Sequence, residues 1–157
     1  MFVGRDDQDG RDAAQLAVAI GMRRLAGFLG GGMTSWRHEG RPTAHIERVP
    51  LDALAERLEQ DPLIQLLDVR EQGEWDAGHI PGSALKTWHD ITEVPEDLDP
   101  TQPVAVICGS GQRASTAASL IARLGAEHVV HVVEGGVPKW RKLGHPVATP
   151  DEPQHAA

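Results

Sequence analysis

The chain has 157 residues, of which 40% are hydrophobic, with a formal net charge of −8 and a single cysteine. That length holds one ordinary domain with some chain to spare, and the apolar content supports a core. The negative balance argues against nucleic acid or an anionic membrane surface as the main partner, and one cysteine excludes an internal disulfide.

The N-terminus, MFVGRDDQDGRD, turns charged at once and lacks the apolar stretch of a secretory signal. No apolar run approaches the ~18 residues of a membrane span. A cytoplasmic chain is therefore expected. The histidines are scattered, with neither an HExxH pattern nor a Cys/His cluster, so no metal site and no cofactor are expected.

Residues 1–42 are expected to supply one helix with Ala13, Leu16, Ala17 and Ile20 on a single face. A short strand around Ala26–Leu29 and a helical turn near Met33–Arg37 follow. HEGRPTAH, 38–45, is polar with Gly and Pro and reads as a linker. Ile46–Val49 is the next strand candidate. LDALAERLEQ then sets Leu51, Leu54, Ala55 and Leu58 at helical spacing, and Pro62 ends that helix.

LIQLLDVR, 63–70, reads as a buried strand with Asp68 and Arg70 at its carboxyl end, the edge on which open parallel sheets build sites. Asp68 is read as a buried acceptor that holds loops together. Arg70 is expected to pair with Glu71 or Glu74. His79 is read as a turn residue whose ring bonds backbone, followed by the turn chemistry of Pro81 and Gly82. Ser83–Thr87 is a short strand. Trp88 and His89 open a loop that walls the mouth of the site, and acidic, proline-bearing 93–103 is a surface connection.

The chain is organised around VAVICGSGQRASTAASLIARLG, 104–125. Val104 to Ile107 run as a buried strand into Cys108, a Gly-rich loop follows, and helical periodicity begins near Ala114. Gly109 and Gly111 let the loop curl with its N–H groups inward, forming an anion-binding nest. The helix N-terminus and Arg113 add positive potential. Such a field favours the thiolate, the form that attacks sulfur or phosphorus. Ser115, in the first helical turn, is a candidate both for capping free N–H groups and for touching substrate. HVVHVVEGG, 128–136, is the last strand, with Gly135 and Gly136 at the edge of the pocket, and Pro138 suits the first turn of a closing helix. Residues 148–157 are expected to fray.

Residues 1–42 also repeat residues 105–146 without a gap, at an offset of 104 positions. GGxxxWRxxGxP occurs at 31–42 and again at 135–146. Cys108 falls on Gly4, so the upstream copy lacks a nucleophile. The opening half of that copy is not in the sequence, which suggests the C-terminal piece of a longer protein or of a shortened relative. An uncovered helix face and sheet edge on residues 1–42 lead to the expectation of a homodimer formed through them.

CGSGQR resembles the active-site loop of the rhodanese family of sulfurtransferases, and LLDVREQGEWDAGHIPGSA resembles a second signature of that family. The resemblance implies an open five-stranded parallel α/β sheet with helices on both faces at 45–147, preceded by a partial copy and linker at 1–44 and followed by a tail at 148–157. It further implies that Cys108 carries sulfane sulfur as a persulfide between a small donor, thiosulfate or a persulfide, and a thiol or cyanide acceptor. Gly109, Ser110, Gly111, Gln112 and Arg113 would bind the substrate, with Asp68, Arg70 and His79 in support. Tandem copies with the last one active also resemble the C-terminal region of bacterial fusions of a metallo-β-lactamase fold to rhodaneses. A non-catalytic binding module is the competing class. Cysteine phosphatases and arsenate reductases rank lower, because only four residues separate Cys108 from Arg113.

Overall fold

The computed structural model describes residues 1–150. The chain divides into two compact units, Met1–His45 and Ile46 onward.

In the first unit, α1 spans Asp7–Ala19 and α2 spans Gly32–His38. The Asp6 carboxylate caps α1 by accepting the Gln8 and Asp9 N–H groups at 2.9 and 3.0 Å. Asp7 and Asp9 add negative charge to the positive helix end. In place of the strand expected at Ala26–Leu29 there is one isolated parallel bridge between Phe2 and Phe28. So little sheet covers little of α1. Ala17 is buried, but Leu16 and Ile20, expected on the same covered face, are 69% and 80% exposed. Met1, Val3, Val18 and Met22 are exposed as well.

Several hydrogen bonds of this unit have counterparts 104 residues later. The Met33 N–H donates to the Gly4 carbonyl at 2.9 Å, and the Val137 N–H to the Cys108 carbonyl at 3.1 Å. Trp36 Nε1 donates to the Pro42 carbonyl at 2.9 Å, and Trp140 Nε1 to that of Pro146 at 2.8 Å.

The second unit is an α/β domain with β1 at Glu47–Pro50, α3 at Leu51–Gln60, β2 at Gln65–Asp68, α4 at Gln72–Asp76, β3 at Ser83–Leu85, β4 at Val104–Ile107, α5 at Gln112–Arg123, β5 at Val129–Val133 and α6 at Val137–Lys142. The five strands form one wholly parallel sheet in the order β1-β5-β4-β2-β3. Strand β4 lies at the centre, and every one of its residues is buried.

Because strand side chains alternate, β4 feeds two cores. Val104 and Val106 pack with Ala114, Ala117, Ala118 and Ile121 of α5. Ala105 and Ile107 pack with Leu51 and Leu54 of α3 and Val137 and Trp140 of α6. Helices therefore cover both faces, as alternating strand and helix segments require in a parallel sheet. The expected fray at 148 starts too early: Ala148 is 9% exposed and exchanges backbone hydrogen bonds of 2.8 and 2.9 Å with His79. Residues 151–157, the rest of that expected tail, lie outside the described residues.

Candidate functional site

Cys108 follows the last residue of β4 and continues its alternation, so its side chain enters the core shared with α5. Beyond it the chain turns sharply into α5, with Gly111 as the N-cap at φ +97°. Only glycine adopts that conformation without cost, and it directs the Gly111 N–H onto Cys108 Sγ at 3.1 Å. The loop also lies close to β5: a Cβ on Gly111 would stand 3.2 Å from the Val132 carbonyl oxygen. His131 Nε2 reaches the Gly111 carbonyl at 2.8 Å. On the other side, a Cβ on Gly136 would overlap the Cys108 carbonyl oxygen, so glycine there is a packing requirement.

The nest expected from inward-turned N–H groups is reduced to one amide: among those of 109–113, Gly111 alone donates to the Cys108 sulfur. Cys108 itself is 0% exposed, packed in the core it shares with α5. Ser115 does not cap free N–H groups. Its hydroxyl donates to the Gln112 carbonyl at 2.8 Å.

Arg113 extends from the first turn of α5 to Glu74 in α4, with bonds of 2.5 and 2.9 Å. This fork holds the Glu74 carboxyl down at about 2. It also raises the guanidinium above its ordinary range, with the nearby Cys108 contributing in the same direction. A Cβ on Gly109 would lie 3.1 Å from Arg113 Nη2, so the guanidinium rests against the loop itself.

Arg70 does not pair with Glu71 or Glu74. It folds back on Asp68, with side-chain bonds of 2.7 to 2.9 Å, and its own N–H reaches the same carboxylate at 3.1 Å. Both side chains are buried, so each charge needs the other. Arg70 Nη2 also donates to the Gly78 carbonyl at 2.9 Å. Asp68 is thus a buried acceptor that ties the end of β2 to the 78–82 turn. His79 is fully buried, stacks on Trp75 with ring centroids 3.5 Å apart, and bonds the Trp75 carbonyl through Nδ1 at 3.2 Å. These three residues brace the segment that carries Glu74. None of them makes a hydrogen bond to Cys108 among the described residues.

Ser110 and Gln112 line a cleft of about 490 Å³ beside the loop, together with Arg48, Ser115, His131 and Glu134. A second cleft, of about 330 Å³, is bordered by Arg70, Glu74, Gly78, Pro138 and Arg141. Trp88 packs against the core that contains Cys108. Among the described residues no group of three or more His, Cys, Asp or Glu is placed to hold a metal, and no helix is long and apolar enough to cross a membrane.

A wholly parallel sheet flanked by helices, with its one cysteine at the carboxyl end of the central strand under a loop amide, defines a cysteine-loop α/β domain. Residues 50–143 match the family described as Rhodanese-like domain, and the chain belongs to that family. It is 35% identical over 95 residues to the Putative sulfurtransferase YtwF of Bacillus subtilis, covering 60% of this chain and 90% of that protein. It is 29% identical over 98 residues to the Putative sulfur carrier protein YrkF of the same organism, across 62% of this chain; the matched region is 53% of YrkF, about half its length. The solution structure of the Rhodanese-like domain from the Anabaena sp. Alr3790 protein superimposes with a TM-score of 0.58 at 26% identity, covering 72% of this chain and 89% of that one.

Proposed function

We propose that the domain is a sulfurtransferase working through a persulfide on Cys108. The Cys108 thiolate attacks the outer sulfur of thiosulfate. The S–S bond of the donor breaks, sulfite leaves with the bonding pair, and Cys108–S–S⁻ remains. A thiolate or cyanide then attacks the outer sulfur, and the Cys108 thiolate departs with the electrons of the second bond. A persulfide donor follows the same course, with a thiolate as its leaving group. The observation that carries this reading is the Gly111 N–H on Cys108 Sγ at 3.1 Å, in a loop closed by Arg113. An amide already aimed at the sulfur stabilises negative charge without reorganising as the charge moves. Gly109, Ser110 and Gln112 complete the loop that surrounds the transferred atom, and Arg113 orients an anionic donor.

The burial of Cys108 favours a second reading, in which the domain is a non-catalytic docking or regulatory module, such as one within a larger metallo-hydrolase fusion. A thiosulfate-to-cyanide assay on the full chain separates the two. Sulfur transfer that disappears in Cys108→Ser supports the enzyme; a folded wild-type chain with no transfer supports the module.

The upstream unit is further proposed to be a cysteine-less partial copy of the same fold. The contact pairs Met33–Gly4 with Val137–Cys108, and Trp36–Pro42 with Trp140–Pro146, support that. The exposed Leu16, Val18 and Ile20 of α1 are the surface proposed to pair with a second copy. Light scattering that shows only monomer at high concentration contradicts the pairing.

A further inference from the structure

Gly111 directs its two peptide groups to different partners. Its N–H meets Cys108 Sγ, while its carbonyl accepts two hydrogen bonds. One is from the Ser115 N–H at 3.1 Å, the first bond of α5. The other is from His131 Nε2 at 2.8 Å, on β5. A carbonyl oxygen only accepts, so the His131 proton sits on Nε2. Any residue at an N-cap receives the helical bond. The second bond requires a donor at this position of β5.

The strand alternation makes that donor unusual. Val130 and Val132 bury on the α3 and α6 face, and Val129 buries on the α5 face. His131 shares the side of Val129 but is only half-buried, and its ring spans from the sheet to the loop beside the 490 Å³ cleft. In a trans peptide the C=O and the following N–H point in opposite directions. A carbonyl anchored on His131 therefore keeps the Gln112 N–H turned away from β5. It also fixes the left-handed Gly111, which as a glycine has little steric resistance of its own to rotating out of that conformation.

We propose that His131 is a positioning residue: by gripping the Gly111 carbonyl it keeps the Gly111 N–H on the Cys108 sulfur. This rests on the sulfur-transfer reading only for its effect on turnover. The effect on the Gly111 N–H itself is independent of any substrate.

The test uses the full chain with His131→Phe, His131→Leu and His131→Gln. Phe keeps a ring without a donor, Leu keeps apolar bulk, and Gln restores an N–H donor at comparable reach. Two quantities are measured on each folded variant: the hydrogen-exchange protection of the Gly111 N–H by NMR, read against the core amides of β4, and kcat and KM for thiosulfate-to-cyanide transfer. Losing one anchoring hydrogen bond predicts a fall of about fivefold to tenfold in Gly111 protection and kcat for Phe and Leu, with the β4 amides and KM little changed. Gln recovers most of both. Wild-type Gly111 protection in a folded Phe or Leu variant overturns the proposal, as does an equal loss in Gln. If the wild type transfers no sulfur, the enzymatic reading fails, and the exchange series still decides the role of His131.

Discussion

Arg113 and Glu74 are joined by two hydrogen bonds, of 2.5 and 2.9 Å, although they lie 39 positions apart in the chain. The pair fastens the helix after β2 to the helix after β4. It also occupies the guanidinium assigned here to an anionic donor, so the donor competes with Glu74 for the same fork. Glu74→Gln keeps the shape and removes the competing charge. The expected result is a thiosulfate KM lower by severalfold with kcat within about twofold, since the gain is in ground-state binding. Steady-state kinetics in thiosulfate check it; an unchanged or higher KM removes Arg113 from donor binding.

The same pair sets a pH dependence. Glu74 titrates at about 2 in the folded chain against an ordinary 4.5, so folding favours its ionised form. Its contribution to stability is full above about 4.5 and is lost as the pH falls through about 2. The side chain is 40% exposed, and solvent screens much of the effect. Asp9 in the first unit is also held low, at about 2. The measurement is therefore a difference: chemical denaturation of wild type and Glu74→Gln, compared from pH 5 to pH 2.5. The gap between the two is expected to narrow as the pH falls.

Arg70 and Asp68 are both buried and make no such accommodation to solvent. Arg70→Met leaves the Asp68 charge without its partner, and a loss of about 3–5 kcal/mol is expected. Urea unfolding monitored by circular dichroism checks it. A loss below about 1 kcal/mol would mean that the pair does not brace the 68–79 segment.

Gly136 gives a steric prediction. Its backbone is extended, at φ −173°, so any residue could adopt the conformation. The obstacle is the Cys108 carbonyl, which a Cβ would overlap. Gly136→Ala is expected to cost about 1–3 kcal/mol and to displace the cysteine loop, lowering both the melting temperature and sulfur transfer. Gly73→Ala is the control, because a Cβ there meets nothing within 4 Å.

The parts of the fold written in local pattern were legible in the sequence. Val104–Ile107 is apolar at every position, and the spacing of Ala114, Ala117, Ala118 and Ile121 marks the sheet-facing side of α5; both elements form as expected. The loop was legible because Gly111 sits where a strand must turn into a helix. Long-range pairings were not. Arg70 has carboxylates one, two and four positions away, and only burial selects Asp68. Freed of Arg70, Glu74 meets Arg113 through the β2–β4 pairing, which no spacing rule encodes. His131 reads as one polar residue in an apolar strand, and its bond to Gly111 depends on how closely the loop approaches β5. On α1, a helical apolar face was visible, but not that a single bridge would leave Leu16 and Ile20 exposed.

Burial of Cys108 makes direct observation of sulfur on that residue the most telling measurement. The full chain is treated with thiosulfate, desalted and analysed by intact and peptide mass spectrometry without reductant. Transfer through a Cys108 persulfide requires a gain of one sulfur atom on the peptide containing Cys108, removed by cyanide and absent in Cys108→Ser. An unmodified Cys108 in folded protein, after prolonged treatment with both thiosulfate and a small persulfide, would contradict it.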